Sequence, residues 1–469
     1  MTSADARIER LERQVEALLA KIDEQAATIR AQAAEITELK RRLGENSSNS
    51  NKPPSTDGPE ARAARPEAPP SGKRRGGQPG HKGHRRELLP LSQVTERVDC
   101  FPPTCRACDA ALPKVRDPAP LVRQVIDVPD VKPTVKQYDC HHVGCTCGVV
   151  TCGAPPPGTP SGLLGPRLLA LCGLLVADCT VSRRKVRDLL QHLLGIRVSL
   201  GALSESEEIT ADAVAPAVDE ARLHALGESI KHVDATTWSC AGTYRCLWTM
   251  ATAAVTVFFI AADGTRATLE TWLSRVRGVL VTDRGSQFDF WAMERRQICW
   301  AHLLRKFASF GARPGPAGKT GDYLLLWTRV LFHQWHRVRD GTMTRKQFRV
   351  AAGELRVVIE RLLEQGATLP GIGGSCANIL EHRAALWRFV DDPRVEPTNN
   401  HAERELRGFV LWRKSTGGSR SERGDVFAAN LKSVVHTCAK QRRAVLPYLT
   451  AAIQASLHGT RAPSLVVAG

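Results

Sequence analysis

The sequence predicts a multidomain chain in which long helical segments surround a smaller mixed α/β core. Three observations carry this. The first 44 residues contain no proline and repeat apolar residues every seven positions; near residue 229 the apolar period changes from helical to strand-like; and between them lies a stretch of paired cysteines poor in large apolar residues. At 469 residues the chain is long enough for about two to four domains. Lysine and arginine total 65 against 48 acidic residues, a net charge of +17 with an isoelectric point near 9.5, which favours a polyanionic partner. No apolar run long enough to span a bilayer and no signal-like N-terminus is present, so membrane and secretory readings are set aside. The 14 cysteines include one C-x-x-C and one C-x-C, which fits a reducing compartment and a metal site better than a disulfide framework. The expected location is therefore cytoplasmic.

In residues 1–44, the first heptad position holds Ile8, Val15, Ile22, Ile29, Ile36 and Leu43, and the fourth holds Leu11, Leu18, Gln25, Gln32 and Leu39. Branched residues at the first and leucine at the fourth favour a parallel two-stranded coiled coil, hence a homodimer or higher assembly. The alternative is one amphipathic helix packed on its own chain. Residues 45–95 then turn to Ser, Asn, Pro and Gly, the composition of a disordered linker. Within it "GKRRGGQPGHKGHRR" carries Lys73, Arg74, Arg75 and Lys82, a basic stretch suited to a DNA groove or, equally, to a solvated tether.

Residues 96–155 hold Cys105 and Cys108 in "PPTCRACDAALP" and Cys140, Cys145, Cys147 and Cys152 in "YDCHHVGCTCGVVTC", separated by a β-like spacer. Two thiolate pairs of this kind close a small tetrahedral zinc site. Cys105, Cys108, Cys145 and Cys147 are the expected zinc ligands, with Cys140 beside Cys145 as the alternative second pair. Residues 160–226 read as three helices. Ser182 is placed to cap the second, whose first turns carry Arg183, Arg184, Lys185 and Arg187. A helix-turn-helix gripping phosphates and a connecting bundle both fit.

From 227 to 310 "SIKHVDATTWSC", "YRCLWTMATA" and "AVTVFFIAA" predict an antiparallel meander, "GTRATLETWLSRV" a helix, and "RGVLVTD" and "RRQICW" two more strands. Three antiparallel strands followed by alternating helix and strand is the layout of a ribonuclease-H-like α/β core. Residues 311–392 read as a helical insertion, 393–455 as the C-terminal part of the core, and 456–469 as a tail.

Asp234 lies in one hydrophobic strand and Asp283 ends another. A carboxylate there is costly to desolvate unless it serves a site. Phosphodiester chemistry with two magnesium ions calls for two or three such oxygen donors. Asp289 is the other candidate near Asp283, with no strand leading into it. Glu403, early in the helix begun at "PTNN" with Thr398 or Asn399 as cap, is a candidate third ligand. Taken alone, a glutamate in a first turn reads first as a dipole or capping residue. Glu405 points elsewhere and is expected to pair with Arg404 or Arg407 or to face water. Trp300, His302, Arg305 and Lys306 in "CWAHLLRKF" set a basic helix beside the DNA, or Trp300 is simply core. Arg404, Arg407, Arg413, Lys414, Arg420 and Arg423 either clamp phosphates or form a solvated basic face.

The segments "HVDATTW", "CWAHLLRKF" and "PTNNHAERELRGFVLWRKSTGGSRSERG" resemble those of the transposases of insertion sequence family sixty-six, and the resemblance extends to the coil, the "GGQPGHKGH" segment and the cysteine module. It implies a DDE-type enzyme with a ribonuclease-H-like core and a triad on Asp234, Asp283 and Glu403 that binds magnesium or manganese. The implied partner is double-stranded DNA, both element ends and target, near the nucleoid; helper proteins are a partner class the sequence leaves open. The competing class is a zinc-containing DNA-binding regulator whose catalytic domain is inert.

Overall fold

The computed structural model describes residues 3–43, 46, 57, 87–274 and 277–466. Contacts divide it into two units, one formed by residues 64–135 and the other by 1–63 with 136–469. In the smaller unit none of residues 87–135 is buried, and Val115, Leu121 and Val125 stand in solvent. Its order comes from local bonds. A bridge pairs Thr104 with Ala111, the Cys105 N–H donates to the Ala110 carbonyl, and the Asp109 N–H returns to the Cys105 carbonyl. The spacer read as β-like has no strand between residues 121 and 141: its apolar residues face water, leaving no face on which a sheet would form.

In the larger unit helix α1 spans Ser3–Leu43, and the heptad residues Val15, Leu18, Ile22, Ile29, Ile36, Leu39 and Leu43 are exposed along it. Strands β1 (His142–Gly144) and β2 (Val150–Cys152) pair antiparallel around a turn in which Gly148 takes φ +84°. Helices α2 (Pro166–Ala177), α3 (Arg183–Leu194) and α4 (Leu200–Gly227) follow. Ser182 caps α3 by accepting the Lys185 N–H. Gly195 closes α3 with φ +67°, a left-handed residue that glycine adopts at no steric cost.

The core is a five-stranded sheet in the order β5-β4-β3-β6-β7, built from β3 (Ile230–Cys240), β4 (Thr243–Ala251), β5 (Thr256–Ala261), β6 (Val279–Thr282) and β7 (Arg296–Ile298). The first three run antiparallel and β6 and β7 join parallel; a short helix, α5 (Arg266–Trp272), precedes β6. Buried residues of this sheet pack with α2 and α4 and with the C-terminal helices α12 (Asn400–Thr416), α13 (Glu422–Lys440) and α14 (Val445–Leu457). Val279, Val281 and Ile298 belong instead to a second core shared with α6 (Trp300–Gly311), α7 (Gly315–Arg339), α8 (Arg345–Ala367) and α9 (Gly373–Glu381). Two short turns of helix, α10 (Arg383–Leu386) and α11 (Arg388–Asp391), lead back toward α12. The inserted helices are thus packed onto the sheet. Trp300 is fully buried among Trp387 and Phe389 and donates its indole N–H to the Leu386 carbonyl, so it is core and is not presented to DNA.

Candidate functional site

Strand β3 runs beside β6 with His232 opposite Val281, which sets Asp234 on the central strand close to the C-terminal end of β6, where Asp283 follows Thr282. The turn after Asp283 is held from beneath by Arg296. Its side chain is wholly buried and donates to Thr282 Oγ1 (3.0 Å), the Asp283 carbonyl (3.0 Å) and the Gly285 carbonyl (3.2 Å). Asp289 pairs with that same guanidinium at 3.0 Å and with His382 at 3.2 Å, so it supports the turn.

Asn399 attaches the third segment. It sits at the cap of α12 but makes no capping side-chain bond; its Nδ2 donates to the Val233 carbonyl at 2.9 Å and its Oδ1 meets His232 Nδ1 at 3.3 Å. Its backbone N–H donates to Cys299 Sγ at 3.1 Å, and Trp300 N–H donates to the Pro397 carbonyl at 3.0 Å. The start of α12 is therefore tied both to the residues just before Asp234 and to the start of α6. Glu403 follows one turn on, its N–H bonded to the Asn399 carbonyl. Its Oε1 lies 3.6 Å from His302 Nδ1 and 3.7 Å from Arg305 Nη2, and it is buried without a hydrogen-bond partner.

Asp234 feels its neighbours. Burial, then the charges of Asp283 and Glu403, push the Asp234 carboxyl up to about 8, against the Ala235 N–H and the Arg305 charge, which favour its ionised form. His302 is lowered by burial first and then by Arg305, against the pull of Glu403 and Asp283. His232, deeply buried and next to His401, is lowered to about 3 and stays neutral. Repelling carboxylates with an orphaned oxygen among them suit a hard divalent cation, which relieves both costs. Among the described residues, the group whose ligand atoms all lie within 4.8 Å of one another is Cys299, His302 and Glu403; the three carboxylates are spread more widely.

The other expected site residues fall variously. Arg183 makes a bidentate pair with the buried Glu207, its Nε 2.7 Å from Oε1, which joins α3 to α4. Arg184 and Lys185 are exposed. On α12, Arg404, Arg407 and Lys414 are exposed and fall on one stripe, whereas Arg413 is turned back to Thr237, donating to its carbonyl and hydroxyl. Lys73, Arg74, Arg75 and Lys82 lie outside the described residues. Glu405 faces neither arginine nor water: it meets His436 Nδ1, Lys440 Nζ at 3.2 Å and His401 at 3.6 Å. Burial opposes its charge, but those partners hold it well below the usual carboxylate range. Cys105 and Cys108 share one turn in the smaller unit, and Cys145 and Cys147 share the β1–β2 turn in the larger. In each turn backbone N–H groups, Ala107 and Cys108 for Cys105 and Cys147 for Cys145, lower the thiol of the first cysteine.

Arg296 and Asn399 were not singled out as supports of the site, and only the asparagine had a local signal, as a possible cap. Both act through contacts to distant backbone. The family model described as "Transposase IS66 family" matches residues 161–426, more than half of the chain and the whole stretch bearing Asp234, Asp283 and Glu403. Residues 2–87 match a "Family of unknown function (DUF6444)". A relative from Sinorhizobium fredii (strain NBRC 101917 / NGR234), named "Uncharacterized protein y4hP", is 23% identical over 390 residues, covering 73% of this chain and 69% of its own. The chain belongs to the IS66 family of transposases.

Proposed function

We propose that this chain is a DNA transposase that cleaves the ends of its element and joins the freed 3′ hydroxyl to target DNA, with Asp234, Asp283 and Glu403 as the residues that hold magnesium or manganese. The observation that carries the reading is that β3, which bears Asp234 at its middle, lies beside β6, which Asp283 follows, and is tied through Asn399 to the start of α12, which bears Glu403. A strand order of three antiparallel and two parallel members is that of a ribonuclease-H-like core, and we read the sheet as one. A pair of divalent ions held by Asp234, Asp283 and Glu403 would activate the attacking oxygen and stabilise the leaving one. The chain's own part is to hold the three carboxylates in place and the DNA phosphates in line, for which the exposed Arg404, Arg407 and Lys414 of α12 are the available cations.

The rest of the chain follows the same reading. The exposed apolar stripe of α1 serves a parallel coiled-coil dimer. The thiol pairs Cys105 with Cys108 and Cys145 with Cys147, each on its own turn, are the zinc ligands of this reading, in a segment with no buried apolar residue. Residues 160–226 contact DNA, through Arg184 and Lys185. Purified Glu403→Gln is expected to bind end DNA as the parent does and to lose cleavage and joining on the order of 10³-fold or more. Full strand transfer by that variant would sink the assignment. A protein that binds ends but is inert in the parent form would leave the regulatory reading.

A further inference from the structure

Cys299 occupies the cap position of α6 and His302 its third residue, a spacing that turns both side chains to the same side of the helix. That side faces Glu403. One ligand atom from each of the three lies within 4.8 Å of the other two, the single such group among the described residues. His302 Nδ1 and Glu403 Oε1 are both buried without a hydrogen-bond partner, 3.6 Å apart. Cys299 Sγ already accepts the Asn399 N–H at 3.1 Å, the kind of outer contact that orients a metal-bound thiolate.

We propose that Cys299, His302 and Glu403 form a second divalent-cation site, selective for a thiophilic ion such as Zn2+, whose occupation withdraws Glu403 from Asp234 and Asp283. Sulfur and imidazole select zinc, cobalt or cadmium over magnesium, which prefers oxygen alone. Three protein ligands leave the fourth tetrahedral position open to water or a phosphate oxygen. Binding takes Cys299 as thiolate and releases its proton to solvent. Thiolate and carboxylate together balance the two charges of the ion, so Arg305, 3.7 Å from Glu403 Oε1, is not repelled by a net positive centre. The existence of the site depends only on the geometry; its inhibitory consequence rests on the role proposed for Glu403. A trace of zinc then switches off magnesium-supported cleavage by holding one of its three carboxylates.

The test loads full-length parent, Cys299→Ser and His302→Ala proteins with Co2+, a spectroscopic stand-in for zinc, and counts bound ions per chain. Each variant is expected to bind about one ion fewer than the parent, and Cys299→Ser to lose part of the sulfur-to-cobalt charge-transfer absorption, the cysteines elsewhere being unchanged. Zn2+ half-inhibition of magnesium-supported end cleavage should need at least about tenfold more zinc in Cys299→Ser. Equal cobalt loading and equal spectra in all three overturn the site. Lower loading with unchanged zinc inhibition overturns the withdrawal of Glu403. Lower loading in the variants, together with a parent that cleaves no DNA, leaves the site standing and fails the transposase reading instead. Thermal melting identifies a variant that does not fold, and the other then decides.

Discussion

Glu403 and Glu405 lie two residues apart on α12 and meet opposite surroundings. Glu403 has a buried, unpartnered oxygen beside Asp234 and Asp283, while Glu405 is neutralised by His436, Lys440 and His401. Removing Glu405 leaves Lys440 buried without its counter-charge, so Glu405→Ala is expected to cost about 3 kcal/mol in denaturant unfolding. The loss would be of stability, with the site chemistry changed only through folding. Asp234 gives a pH prediction with a definite sign. Its folded-state pKa is raised from 3.8 to about 8, so the folded chain holds a proton that the unfolded chain has released. The contribution is fully present below the unfolded value and is lost as pH rises toward about 8. In metal-free buffer the melting temperature should therefore fall across that window, and Asp234→Asn should flatten the fall. A parent whose stability is level over the window would contradict the burial and neighbouring charges that raise Asp234.

At the scale of elements, the site depends on how α12 is moored to β3. Asn399→Ala removes the partner of the buried Val233 carbonyl and is expected to cost about 1–3 kcal/mol, with cleavage falling although no carboxylate has changed. Asn399→Asp, which keeps the shape but loses the donor to that carbonyl, should fail to restore it. Chemical denaturation and end-cleavage rates, measured together, check both. The strands around Asp234 and Asp283 were legible because apolar alternation and short buried runs are local signals, and Ser182 was legible as a cap for the same reason. Arg296, Asn399 and the pairing of Glu405 were not. Their partners lie far along the chain, as Val233 does from Asn399, and only the folded backbone brings them into reach. For Arg183 and Arg413 the charge is visible in the sequence, but the acceptors Glu207 and Thr237 that they meet in the fold are not.

At the scale of the molecule, the chain combines a helix with an exposed apolar stripe, a smaller unit with no buried residue among those described, and an α/β unit that carries the carboxylates. If α1 pairs with a second copy through its heptad stripe, Ile22→Lys with Ile29→Lys in the full chain should shift light scattering from dimer to monomer. An unchanged mass would place self-association elsewhere. The most direct test of the central claim is anomalous diffraction from crystals of the full-length protein with end DNA and Mn2+, collected at the manganese edge. Manganese is expected at about 2.0–2.3 Å from oxygens of Asp234, Asp283 and Glu403, with each of the three touching at least one ion. Manganese bound with any of the three carboxylates left out, or held elsewhere, would contradict it.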